Sequence, residues 1–139
     1  MRIISGSLKG RKINQPKGVK ARATTDIAKE GLFNSLGHRC NLANAVVYDF
    51  VSGTGNITFE FISRGAEMVY SVDISPQSQD FILKNAKEFG VEEQVKVIRA
   101  DVWRLIKNLE VKADVIFADP PFTLKEYEKL HALVFSHQL

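Results

Sequence analysis

Asp119, Pro120, Pro121 and Phe122 follow directly on a pure β-type run, Val115 to Ala118, so a carboxylate, a stiff corner and an aromatic ring stand together at the carboxyl end of a strand. Open α/β sheets bind ligands at that edge. Two successive prolines fix φ and remove two amide donors, leaving carbonyl oxygens and the Asp119 carboxylate as acceptors. Such a corner suits an amino group. The exocyclic nitrogen of a nucleobase can donate to Asp119 and the Pro120 carbonyl while its ring stacks on Phe122. The alternative is a rigid strand-exit turn with an incidental aromatic.

Three further acids close β-type runs. Asp49 leads into Phe50 Val51 Ser52 Gly53 Thr54 Gly55 Asn56, a small-residue loop that opens a helix, where glycines let a ligand approach the backbone. A dinucleotide fingerprint would place a third glycine at position 58, but that residue is Thr58, which disfavours a close pyrophosphate contact. Asp73, followed by Ile74, suits the two hydroxyls of a ribose. Asp101, followed by Val102, suits an adenine amino group, or else caps the next helix. Four acids on one sheet edge are costly without a partner, and a cationic adenosine compound such as S-adenosylmethionine supplies one.

These groups need a scaffold, and the rhythm of the chain provides it. Strands are expected at Val46 to Asp49, Met68 to Val72, Val95 to Arg99 and Val115 to Ala118, alternating with helices, so the sheet should be parallel. One helix spans Ile57 to Arg64, with Ile57 and Phe61 on its inner face, and stops at Gly65. Another opens at Ser75 and Pro76, stops at Gly90 and buries Ile82, Ala86 and Phe89. Trp103 reads as structural. Ahead of them, Thr24, Thr25 and Asp26 cap a helix with Ala28, Leu32 and Leu36 on one face, ending at Gly37.

Composition bounds the class. The chain has 139 residues, 45% of them hydrophobic and 25% charged, which describes one globular unit with a real core. No run approaches the ~18 apolar residues of a membrane span, and the first residues lack a signal-peptide stretch, so a cytosolic protein is expected. Cys40 is the sole cysteine, and His38, His131 and His137 have no metal-ligand spacing, so neither a disulfide framework nor a metal site is expected.

The net charge of +3 conceals an asymmetry. Arg2, Lys9, Arg11, Lys12, Lys17, Lys20 and Arg22 all precede the first acid, Asp26, leaving 12 of the 19 basic residues against all 16 acids. The amino-terminal segment therefore reads as a polyanion footprint. Ile3, Ile4 and Ile13 flank Gly6 and Gly10, which predicts two short strands with basic residues at the turn. A solvated arm, or lysines guarding a strand edge, is the competing explanation.

Taken together, the chain resembles the RsmD-type guanine-N2 methyltransferases of small-subunit ribosomal RNA. The resemblance rests on Arg2 to Gly6 with Lys9 Gly10 Arg11, on Arg22 with Thr24 Thr25 Asp26 and Glu30 to Asn34, on Asp49 to Gly55 with Glu60 and Ser63 to Ala66, and on Asp119 to Phe122. It departs from that pattern at Ala23, Gly31, Val51 and Phe122. The resemblance implies a Rossmann-like class I methyltransferase fold, with helices on both faces of the sheet. A basic hairpin and helix, residues 1–40, would precede a methyltransferase domain, residues 41–139.

The resemblance also implies S-adenosylmethionine as donor, held by Asp49, Gly53, Gly55, Asp73 and Asp101 with Ser52, Thr54, Ile74 and Val102 beside them. Asp119 to Phe122 would hold one guanine of 16S rRNA, and the seven basic residues would touch RNA, with the protein acting as a monomer. Family members continue with strands five to seven, whereas 17 residues follow Phe122 here, enough for one helix around Tyr127 to Phe135, so the chain is read as lacking those strands. The competing functions are an amino methyltransferase of DNA adenine or protein glutamine, a nicotinamide oxidoreductase, and a non-catalytic RNA-binding module.

Overall fold

Short runs rich in Val, Ile, Tyr and Phe form the sheet, and the glycine- and proline-marked stretches between them turn the chain back. The structure, a computed structural model, describes residues 1–15, 17, 24–121 and 127–136. Lys20, Arg22, Ala23 and Phe122 lie outside the described residues. The order is α1 (Asp26–Arg39), β1 (Val46–Phe50), α2 (Asn56–Ser63), β2 (Met68–Asp73), α3 (Pro76–Phe89), a 3₁₀ turn at Glu92–Gln94, β3 (Val95–Arg99), α4 (Val102–Ile106), β4 (Val115–Ala118) and α5 (Tyr127–Ser136).

Among the described residues the sheet is four-stranded in the order β3-β2-β1-β4, and every pairing is parallel. Register follows from the apolar runs, with Val47 opposite both Val69 and Val115. After β3 the chain crosses to the other side of β1, so strand order reverses between β1 and β4. The carboxyl ends of those two strands frame a topological switch point.

Alternation along each strand sorts side chains to two faces. Val47, Val69 and Val95 join Phe33 of α1, Ile57 and Phe61 of α2, and Ile82, Ala86 and Phe89 of α3 in one core cluster. Tyr48, Phe50 and Val72 face the other way, onto Ile106 of α4 and Leu130 of α5, with half-buried Trp103 packed beside them. Helices therefore cover both faces, as expected.

The helices refine the expectations. α3 has Ser75 as N-cap, Pro76 in its first turn and Gly90 in the left-handed region as C-cap, all as read from the sequence. α1 starts as expected behind Thr25 but runs past Gly37 to Arg39, because the Cys40 N–H still reaches the Leu36 carbonyl. Its fully buried residues are Lys29 and Phe33, while Ala28 is exposed, so the inward face is rotated from the expected stripe and includes a charge. α2 buries all eight of its residues rather than one face. It is enclosed by the sheet on one side and by α1 and the amino-terminal hairpin on the other. α4 follows Asp101, the helix cap that the sequence offered as one reading, but its bounds carried no signal because five residues are too short to display a period.

The hairpin also differs from the expected pair of strands. A single antiparallel bridge joins Arg2 and Lys12, supported by Ile3 N–H to Arg11 O (2.9 Å) and Ile13 N–H to Met1 O (3.0 Å). The N–H groups that follow turn to α2. Ile4 and Ser5 donate their N–H groups to the Glu60 carboxylate, and Ser7 donates to the Ser63 carbonyl. Ile3, Leu8 and Ile13 are buried in the same cluster as the sheet.

Gly6 makes this docking possible. Its φ is +89°, and a Cβ there would lie 1.8 Å from the Ser63 carbonyl oxygen. Gly6→Ala is therefore expected to destabilise the protein by on the order of 3 kcal/mol, read as a lower urea midpoint. An unchanged midpoint would show that the hairpin does not need this close approach.

Candidate active site at the sheet switch point

The loop leaving β1 is built from backbone conformations that ordinary side chains avoid. Gly53 and Gly55 have φ of 54° and 77°, and Val51 lies at 59°, a position that strains a β-branched residue by about 1–3 kcal/mol. The loop is fixed internally and to β2: Gly55 N–H donates to Ser52 O (2.9 Å) and Ser52 N–H to Val72 O (3.0 Å). A Cβ on Gly53 would meet nothing within 4 Å, so this side of the loop is open to an approaching group. A Cβ on Gly55 would press on Ile82 at 2.9 Å, so that glycine serves close packing against α3.

Asp73 closes β2, as expected, and binds the loop directly. One carboxylate oxygen accepts the Gly53 N–H at 2.8 Å and the other accepts the Ser75 N–H at 2.8 Å. Each oxygen retains a lone pair for a hydroxyl. Ile74 beside it is 66% exposed and offers apolar surface at the rim. Asp101 takes the capping role: its carboxylate accepts the Arg104 N–H at 3.2 Å and opens α4, with Val102 half-buried next to it. Asp119 follows β4 immediately, is exposed, and has no hydrogen-bond partner among the described residues. Pro120 and Pro121 are described with it; Phe122 is not.

Asp49 is placed differently from the other acids. It is the fourth of five residues in β1 and is 1% exposed, with its carboxylate turned toward α2, where the Thr58 hydroxyl donates to it at 2.5 Å. Thr58 also shares a hydrogen bond with Ser71 (3.1 Å). The residue that interrupts the glycine fingerprint thus anchors a buried polar group beneath the loop. Burial pushes the Asp49 carboxyl up to about 7 against the opposing Thr58 hydrogen bonds, and the charges of Asp73 and Asp119 push the same way. These acids stand on or directly after neighbouring parallel strands, Asp73 on β2, Asp49 on β1 and Asp119 after β4.

Sequence reading missed how the loop is held from behind. Asn56, the first residue of α2, accepts from Lys29 Nζ (2.8 Å) and donates to the Thr24 carbonyl (3.3 Å). Thr54, expected beside the donor, is instead buried in the loop and donates its hydroxyl to Met1 Sδ at 3.5 Å. The available signal was the run of Asn56, Thr58, Glu60 and Ser63 within an otherwise apolar helix, since polar residues inside a buried element need partners.

The expected basic residues divide. Arg2 pairs with Asp26 through its Nε at 2.9 Å, and the Arg11 guanidinium lies 5.6 Å from the centre of the Phe89 ring. Lys9, Lys12 and Lys17 are exposed. Lys9 occupies the turn of the hairpin, which docks at the far end of α2 rather than beside the glycine loop.

The raised Asp49 carboxyl has a thermodynamic consequence. The unfolded chain ionises this group near its ordinary value of 3.8, whereas the folded protein holds the proton to about 7. The unfolded state thus binds fewer protons between these values, and stability falls as pH rises through that window, then levels off above it. Asp49→Asn, neutral throughout and still able to accept from Thr58, is expected to remove this decline. Melting temperatures of both proteins from pH 4.5 to 8 test it, and parallel curves would refute the assignment.

Comparison with known proteins agrees with this geometry. A sequence model of the family described as Conserved hypothetical protein 95 matches residues 1–139. The ribosomal RNA small subunit methyltransferase D of Buchnera aphidicola (from Acyrthosiphon pisum) is 35% identical over 86% of this chain and 62% of its own length. The protein of the same name from Haemophilus influenzae is 30% identical over 96% of this chain and 70% of its own. The chain thus spans about two-thirds of the length of these curated relatives.

Among solved structures, a hypothetical protein of Thermus thermophilus superposes with a TM-score of 0.87 at 20% identity, covering 100% of this chain and 79% of that one. An RNA methyltransferase from Salinibacter ruber, in complex with S-adenosyl-L-homocysteine, gives 0.67 at 20% identity over 83% and 70%. At that identity the likeness is one of fold, the Rossmann-like class I methyltransferase fold. With the family match running over every residue, and with its glycine loop and its Asp-Pro-Pro corner meeting at one switch point, the chain belongs to the Conserved hypothetical protein 95 family of RsmD-type methyltransferases.

Proposed function

We propose that this protein transfers a methyl group from S-adenosylmethionine to the exocyclic N2 amine of a guanine in small-subunit ribosomal RNA. The observation that carries the reading is the convergence, at the β1/β4 switch point, of an open glycine loop bound to Asp73 and an exposed Asp119, unpaired among the described residues, on a proline corner. The names of the curated relatives support rRNA as the substrate class, and the S-adenosylhomocysteine complex of the Salinibacter neighbour supports the donor.

The donor set fits an adenosine sulfonium. Gly53 leaves open space, Asp73 keeps lone pairs for ribose hydroxyls, Ile74 offers an apolar surface to a flat ring, and Asp73 and Asp119 carry negative potential that a cation relieves. When bound, S-adenosylmethionine supplies a methyl carbon activated by its sulfonium. Asp119 and the Pro120 carbonyl accept hydrogen bonds from the target amine, holding its nitrogen in the pyramidal, nucleophilic form. Orientation of this kind supplies about 7–11 kcal/mol, more than general-base help typically worth ~10²–10⁴-fold. Asp119 is thus chiefly an acceptor, and Asp49, buried and bonded to Thr58, is no base for the substrate.

Phe122 stacks on the extruded base and returns ~1–3 kcal/mol of its unstacking cost. Arg2, Lys9, Arg11, Lys12, Lys17, Lys20 and Arg22 supply contacts to RNA phosphates. Among the described residues no helix is long and apolar enough to cross a membrane. We place the protein in the cytosol as a monomer acting on 16S rRNA or the small subunit, with residues 1–40 as its RNA-contacting extension.

The direct test supplies isotopically labelled S-adenosylmethionine to the protein with undermodified small subunits and identifies the labelled nucleoside by mass spectrometry. N2-methylguanosine is expected. Label in DNA adenine or protein glutamine would replace the acceptor, and no label in any of the three would overturn the reading. Asp73→Ala is expected to weaken donor binding at least tenfold by calorimetry while RNA affinity holds; equal donor affinity would remove Asp73 from the site. Phe122→Tyr should be nearly silent and Phe122→Ala should slow transfer with little change in donor binding, so equal rates for the two would end the stacking role.

A further inference from the structure

Away from the switch point, at the amino-terminal edge of the sheet, a groove of about 600 Å³ opens between the ends of α1 and α2. Its place follows from connectivity. α2 leads from the carboxyl end of β1 to the amino end of β2, and Asn44 N–H donates to Gly65 O (2.8 Å), joining the two approaches to the sheet. The groove is lined by His38, Arg39 and Arg64 with Phe33 and Asn41, and no lining residue carries a carboxylate.

Arg64 is held in one orientation. Its guanidinium lies 4.7 Å from the centre of the Phe33 ring, its Nε donates to Glu60 at 2.9 Å, and its side chain is 15% exposed. Its terminal nitrogens have no partner among the described residues. His38 and Arg39, from the last turn of α1, are exposed beside it. Gly37 adds room, since a Cβ there would meet nothing within 4 Å.

Basic residues at helix C-termini ordinarily serve the helix by meeting its last carbonyls. At α2 other donors already meet all of them, and at α1 the Leu36 carbonyl is met. Leu36 O accepts the Cys40 N–H, Glu60 O and Phe61 O accept the Arg64 backbone N–H, Ile62 O accepts the Gly65 N–H, and Ser63 O accepts the Ser7 N–H. The terminal nitrogens of Arg64 are thus left for acceptors from outside, with His38 and Arg39 exposed beside them. The hairpin turn docks on Ser63, next to Arg64, and brings exposed Lys9 to the same edge.

We propose that this groove is a phosphate-binding site, with the planar forks of Arg64 and Arg39 donating to the phosphate oxygens and the His38 ring N–H adding a third contact. Both a phosphodiester of RNA and free phosphate present this chemistry. The RNA source rests on the function proposed above. It would extend the RNA footprint past the length of α2, roughly 12 Å from the glycine loop, along the flank that carries the hairpin.

The test is the double variant His38→Gln with Arg39→Gln, which leaves Arg64 and its buried contacts untouched. RNA affinity of both proteins is measured across a salt series, and inorganic phosphate is titrated while the Arg64 Nε–H resonance is followed by NMR. If RNA occupies the groove, the variant's log-log salt slope falls by about 1–2 and its low-salt affinity drops several-fold, with donor affinity unchanged. A saturable Arg64 shift with phosphate, lost in the variant while the RNA slope holds, assigns the groove to free phosphate. No change in the slope and no phosphate-dependent shift overturn the site. Wild-type protein that fails to bind RNA at all would count against the proposed function, while the phosphate titration would still report on the groove.

Discussion

The structure depends on a buried ion pair. Lys29 and Glu60 are both 0% exposed and meet at 3.2 Å, and removing two charges from water costs several kcal/mol per ion unless every donor and acceptor is met. Here they are met. Lys29 uses its three protons on Glu60, the Arg2 carbonyl (2.6 Å) and Asn56 (2.8 Å). Glu60 accepts in addition from the Ile4 and Ser5 N–H groups and from Arg64 Nε. Burial draws the Lys29 ammonium below its usual value, and the adjacent Glu60 carboxylate opposes that shift. The pair joins the hairpin, α1 and α2 in one polar knot, and through Asn56 it reaches the residue that follows the glycine loop.

Seen from that knot, the amino-terminal segment is part of the wall behind the site. The hairpin runs along α2, with Met1 beside the glycine loop at one end and its turn on Ser63 at the other. Parallel strands open the switch point on the carboxyl edge, while helices on both faces bury the sheet and fix where Asp73 and Asp119 emerge. The geometry at the rim is therefore set by contacts on the opposite side of α2.

Much of this was legible in the sequence, and the exceptions share a cause. β3 and β4 were placed to the residue and β1 and β2 to within one, because β-branched runs bounded by turn residues carry a local signal. Ser75, Pro76 and Gly90 marked α3 for the same reason. What escaped depends on partners distant in the chain. Lys29 finds Glu60 across 31 positions, so nothing near Lys29 reveals that its helix face turns inward. The hairpin has a single bridge and is fastened instead to Glu60, distant in the chain, through the Ile4 and Ser5 N–H groups. Asp49 looked like a rim residue because it nearly closes a strand, yet the parity of the pleat points it at Thr58. At the site, the glycine loop, Asp73, Ile74 and Asp119 were readable as motif, whereas the way Asn56 and Thr54 brace the loop was not.

The complete enclosure of α2 bears on how the sequence can drift. A helix with one solvent face lets roughly half its positions change independently, and its substitution record shows a 3.6-residue rhythm. Residues 56 to 63 have no such free positions. Apolar members are confined by close packing, and Asn56, Thr58, Glu60 and Ser63 are each tied to a named partner elsewhere. Variation here must therefore arrive in pairs, Glu60 with Lys29 and Thr58 with Asp49, so the segment is expected to evolve as a block whose changes are matched at remote sites.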